Sequence, residues 1–207
     1  MRILIWGVIL VFCLPLQAQK SYNQLSLDLK YGASIPISPV ERISRSEYIS
    51  FKNFQVGGRY MLNRKFGLSG AYTYQGFGNQ NAGLSFHRLS LEGVASLSHI
   101  LNFPYYIKEY INLQVHAGPG ISIASPNNTS NYDRMGNILM GGSLLFNLSS
   151  HLALVGDLSY SYQIGQWYGY DGKVLNTQEN SDNGANLLVS FGVYIYLGKE
   201  KYHADWY

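Results

Sequence analysis

The sequence has one cysteine, Cys13, and little charge: 15 Lys and Arg against 12 Asp and Glu, together 13% of 207 residues. It also lacks any long apolar run after residue 16. The first apolar run, Ile3 to Leu16, follows Arg2 and precedes Leu16-Gln17-Ala18, the pattern of a cleaved secretory signal peptide over residues 1–18. It is shorter than the about 20 residues of a membrane-spanning helix. Phe12 stands where lipid attachment at Cys13 would want a small residue. The remaining domain, 19–207, therefore has no thiol, which excludes disulfides, cysteine nucleophiles and thiolate metal ligands. Near-balanced charge gives no electrostatic basis for nucleic-acid binding.

What is abundant is Tyr, at 18, and Gly, at 22. Alternation of period two marks strands, whose side chains go to opposite faces. Eight segments alternate: Asn23–Ile37, Ser50–Leu62, Lys65–Phe77, Leu84–Ile100, Lys108–Ala124, Gly136–Leu148, His151–Ile164 and Ala185–Leu197, with no amphipathic helix between them. In the last, Leu187, Val189, Phe191, Val193, Ile195 and Leu197 share one face, while Asn186, Ser190 and Gly192 mark the other. Links after segments two and six are tight, and the link over 101–107 is somewhat longer and aromatic. Those over 38–49, 78–83, 125–135 and 165–184 are longer and polar. Short turns at one end and long loops at the other describe an eight-stranded antiparallel transmembrane β-barrel, with short periplasmic turns and longer extracellular loops. Tyr72, Tyr74, Tyr160 and Tyr162 near one end, with Tyr60, Phe66, Tyr110 and Phe146 near the other, fit two interfacial belts.

Alternation does not say which face is inside. A soluble lipocalin-like barrel encloses its apolar face; a membrane barrel turns it outward. The polar face carries Asp28, Lys30, Arg59, Arg88, Glu92 and Asp157, three of each sign, amid Ser, Asn, Gln and Gly. That is a poor water-facing surface. Enclosed in an eight-stranded barrel, these six are expected to pair into an interior charge network that leaves no open channel. Together with the signal peptide and the loop asymmetry, this polar face favours the membrane arrangement.

The pattern Ser190-x-Gly192-x-x-Ile195-x-Leu197 resembles the C-terminal targeting signal of outer-membrane barrels. His87-Arg-Leu-Ser-Leu-Glu-Gly-Val94, Val115-His-Ala-Gly-Pro-Gly-Ile-Ser122 and Asp157-Leu-Ser-Tyr-Ser-Tyr162 resemble the small outer-membrane barrels of the OmpA and OmpX group, and the porin-family barrel domains common in Bacteroidetes. The resemblance spans the whole chain after the signal, apart from a ten-residue tail, Gly198–Tyr207. It implies the bacterial outer membrane, contact with its lipid, and insertion by the barrel-assembly machinery. It implies no shared catalytic motif.

Some small barrels hydrolyse lipid A, so His-Ser constellations matter. His87 and His99 are expected on the lipid-facing parity, with Ser98 turned away from His99 and no His-x-Ser-Asn pattern at either site. His116 is expected inside, as a hydrogen-bonded group. Gly118-Pro119-Gly120 is expected to form a bend or bulge. No metal-ligand spacing and no cofactor motif appears, so no catalytic, metal or cofactor residue is assigned. Trp167, Tyr168 and Tyr170 are the loop residues expected to touch a surface ligand. The function expected is a non-enzymatic envelope or surface-binding barrel; a lipid A acyl hydrolase, or a narrow pore or small-solute carrier, is the alternative.

Overall fold

A computed structural model describes residues 22–39, 45–78, 82–129, 131–175 and 182–206. The expected signal peptide over residues 1–18, with Cys13, lies outside these residues. The strands β1 (Leu25–Ser38), β2 (Ser50–Met61), β3 (Phe66–Gly78), β4 (Gly83–Ser96), β5 (Ile111–Pro126), β6 (Asp133–Ser149), β7 (Leu152–Gln166) and β8 (Asp182–Leu197) pair antiparallel with their sequence neighbours, and β8 returns to β1. The sheet therefore has no free edge, which is how a barrel satisfies every backbone donor without water. The shortest strand has 12 residues and the longest 17, above the about 9–11 that a tilted strand needs to cross a bilayer core.

The faces fall as the alternation requires. Leu25, Leu27, Leu29, Val56, Leu68, Leu89, Leu91, Ile121, Ile138, Met140, Leu158 and Phe191 are exposed on the outside, while Asp28, Lys30, Arg59, Arg88, Glu92 and Asp157 are buried within. Polarity is thus inverted relative to a water-soluble barrel.

Three details differ from the sequence reading. Segment four stops at Ser96; the chain then forms two one-turn helices, α1 (Leu97–Ile100) and α2 (Tyr105–Lys108), before β5. His99 is consequently not lipid-facing: on a helical turn it swings inward, as does Ser98, and both are buried. Gly118-Pro119-Gly120 is neither bend nor bulge, since the register with β6 runs unbroken through Gly118–Leu139, Pro119–Ile138 and Gly120–Asn137. Glycine is needed at 118 for close approach, because a Cβ there would collide with the Leu91 carbonyl oxygen.

Candidate functional site

The barrel interior is filled in three layers. At the long-loop end Phe77, Leu84, Phe86, Ala124 and Met135 point inward and pack with Tyr170, which descends from the loop after β7. The Tyr170 hydroxyl donates to the Ala185 carbonyl at 2.8 Å. This corrects its assignment as a surface-contact residue: Tyr170 is fully buried, and Tyr168 packs half-buried against the same cluster. Trp167 alone of the three is exposed. Burial pushes the Tyr170 hydroxyl's pKa up, partly opposed by the Arg88 charge, so the group stays a neutral donor.

The middle layer is ionic. Lys30 Nζ lies 3.1 Å from Asp157 Oδ2. The same carboxylate accepts from Ser143 and Ser159 and faces His116 Nε2 at 3.1 Å. The other nitrogen, His116 Nδ1, faces Glu92 at 2.5 Å, and Glu92 also accepts from Ser90. A ring with a carboxylate at each nitrogen donates twice, the arrangement of an imidazolium. Room for it comes from Gly141, where a Cβ would stand 2.7 Å from His116 Nε2. The space left in this layer is about 20 Å³, room for about one water.

The six charges do not simply pair among themselves. Lys30–Asp157 is the one ion pair within the set; Asp28 accepts from Gln55, and Arg88 donates to the Gln75 side-chain oxygen. Arg59 turns instead to a residue beyond the last strand. Its guanidinium pairs with Asp205, which also accepts from Gln114 Nε2 at 2.9 Å and the Tyr196 hydroxyl at 3.1 Å.

Asp205 belongs to the third layer, at the short-turn end. After Leu197 the chain folds back under the barrel. His203 stacks on Tyr196, Trp206 Nε1 donates to the Tyr196 hydroxyl at 2.9 Å, and the Asp205 carbonyl accepts from Asn112 at 2.9 Å. His203, Ala204 and Asp205 are fully buried. The sequence reading missed this tail because it lies outside every alternating run. A usable signal was present: Tyr194 and Tyr196 fall on the inward parity, which leaves the short-turn end aromatic and in need of a covering segment.

Among the described residues a Ser-His contact does reach the surface: Ser150 lies 2.8 Å from His151 Nδ1 in the tight turn before β7, with no carboxylate within ion-pair distance of the ring. Ser96 Oγ lies 2.9 Å from His99 Nδ1 and donates to Asn112, but all three are buried beneath the tail. On the outside, His87 Nδ1 meets the Tyr72 hydroxyl at 2.7 Å, beside the Tyr74 ring. Among the described residues no cluster of three His, Cys, Asp or Glu side chains is placed to hold a metal ion.

No protein-family model and no curated protein matches the chain. Solved structures do. Neisserial surface protein A is similar with a TM-score of 0.60 at 13% identity, over 84% of this chain and 97% of that one. A major outer membrane protein from Thermus thermophilus follows with a TM-score of 0.54 at 11% identity, over 84% and 99%. At such identities the likeness is one of fold, and the fold of this chain is that of the small eight-stranded outer-membrane β-barrels.

Proposed function

We propose that the protein is an outer-membrane barrel without catalytic activity, exported by its N-terminal signal, that acts through its outer surface and extracellular loops in envelope structure or surface binding. The observation that carries this reading is the filled interior inside an apolar exterior. An aromatic cap, an ionic middle and a tail-covered mouth leave about 20 Å³ at the centre, far too little for a solute path. The apolar exterior supports residence in lipid, since exposing that many leucines and isoleucines to water is untenable for a soluble protein. The enzymatic alternative lacks support because the Ser96–His99 contact is buried, while the exposed Ser150–His151 contact joins chain neighbours in the tight turn before β7, with no carboxylate within ion-pair distance of His151 among the described residues.

Planar-bilayer recording of the reconstituted full-length mature chain tests the sealed interior. The expected result is no steady conductance; large, sustained currents would overturn it. Lipid A from cells with and without the protein should have the same acylation by mass spectrometry, and a lost acyl chain would restore the hydrolase reading.

A further inference from the structure

On the outside of the barrel, at its long-loop end, β6 presents one charged side chain. Arg134 shares its outward face with Gly136, Ile138, Met140, Gly142, Leu144 and Phe146. Its cross-strand neighbour is Ile123, and the next rung inward is Ile121–Gly136–Ile164, with both isoleucines open to the exterior. At about 3.4 Å per residue, Arg134 stands roughly 7 Å beyond that rung. It therefore lies where the apolar band gives way to headgroups.

Arg134 has no carboxylate partner among the described residues. Its guanidinium carbon lies 5.2 Å from the Tyr132 ring centroid, and Nη2 is 3.4 Å from the phenol oxygen. The adjacent acid does not compete, because Asp133 is buried and accepts the Trp167 backbone N–H at 2.7 Å. That bond fixes the root of the loop after β7, and the Tyr168–Val174 bridge holds the segment in place. Between this wall and β6 opens a cleft of about 480 Å³, lined by Tyr132, Asp133, Arg134, Trp167, Tyr168 and Val174. Below it Gly136 leaves the surface flat, with nothing within 4 Å of where a Cβ would stand.

An unpaired planar cation takes phosphate oxygens two at a time. An indole and a phenol suit the boundary between sugar or glycerol and hydrocarbon. A flat apolar strip beneath suits an acyl chain. We propose that this cleft binds the phosphorylated headgroup of a lipid in the surrounding leaflet, with Arg134 on the phosphate and Trp167 and Tyr132 flanking the backbone sugar or glycerol. The proposal rests on the membrane reading above and adds a defined lipid contact to it.

Native mass spectrometry of the full-length mature chain, folded in a neutral detergent, tests it with three probes: diphosphorylated lipid A, the same lipid dephosphorylated, and inorganic phosphate. The wild type should retain the phosphorylated lipid about tenfold better than the dephosphorylated one, and Arg134→Gln should erase that preference. Equal retention of the phosphorylated lipid by wild type and Arg134→Gln would overturn the proposal. So would inorganic phosphate displacing the lipid at matched concentration, which would mean a free-phosphate site. A heat-shift gel on each sample reports the barrel separately. A folded barrel with no phosphate preference sinks the cleft alone, whereas loss of the heat shift in the wild type sinks the membrane reading.

Discussion

Cutting the Arg59–Asp205 contact from one side should destabilise the barrel far more than replacing both partners. The pair is fully enclosed, and the carboxylate also accepts from Gln114 and Tyr196. Asp205→Leu leaves the guanidinium buried without a counter-charge, a loss of about 3–5 kcal/mol. Arg59→Met strands the carboxylate and should cost a similar amount. In the double variant neither member of the pair is left without the other, so at least about 2 kcal/mol of the summed loss should return. Recovery stays incomplete because the Gln114 and Tyr196 donors lose an acceptor, about 1 kcal/mol each. Urea unfolding from lipid vesicles, followed by the fluorescence of Trp206 within the contact, measures all three. Additive losses, or an Asp205→Leu midpoint equal to the wild type's, would refute the reasoning. Acid gives a second handle on the same pair. Burial alone would raise the Asp205 carboxyl, but Arg59 first and His203 next outweigh it and hold it well below the usual carboxylate range. A carboxylate depressed in the fold stabilises above its unfolded pKa, about 3.9, and that stability is lost as pH falls through the folded value. The gap between wild type and Asp205→Leu should therefore be flat at neutral pH and narrow only below about pH 4.

Arg88 offers a contrast, because no carboxylate lies within ion-pair distance of it among the described residues. Arg88→Met should cost no more than about 1 kcal/mol in the same urea assay, well under the Arg59→Met loss. Tyr170→Ala should cost about 3–5 kcal/mol and expose the loop after β7 to protease, whereas Tyr170→Phe, losing its hydroxyl's bond to Ala185, should cost about 1 kcal/mol. Leu91→Arg places a charge on the outer face of β4, at 60% exposure. Vesicle refolding should show a loss of about 2–4 kcal/mol if that face meets lipid near the midplane, against about 0.5 kcal/mol or less if it met water.

The strands were legible because each must turn an apolar row to lipid and a polar row inward, and a period of two survives any detail of packing. Their order and closure followed from loop lengths. Legibility ended where the chain left that period. His99 reads as the outward member of a fourth strand, yet the chain has already turned helical at Leu97, and a helical turn sends alternate residues nowhere in particular. Tyr170 looks like an exposed loop aromatic, and only the inward Phe77 and Phe86 beneath it create the pocket that draws it down. Counting charges on strands gave three of each sign, which made self-pairing look sufficient. The count omitted His116, which bridges Glu92 and Asp157, and Asp205, which claims Arg59.

The folded-back tail also constrains the order of events during assembly. Asn23, just ahead of β1, bonds Tyr202, Ala204 and Glu200 through its backbone and side chain; Arg59, Asn112, Gln114 and Tyr196 supply further polar contacts, and Leu145, Ala153, Val155 and Tyr194 pack with Trp206. The polar groups come from the chain before β1 and from strands β2, β5 and β8, and they converge only after the first and last strands have met. A sheet without its β1–β8 seam offers the tail its β6–β8 contacts but brings neither Asn23 nor Arg59 to it. Complete docking is therefore a terminal event that certifies a closed seam. Mispaired or unclosed intermediates should be recognisable by a tail that has not yet engaged Asn23 and Arg59.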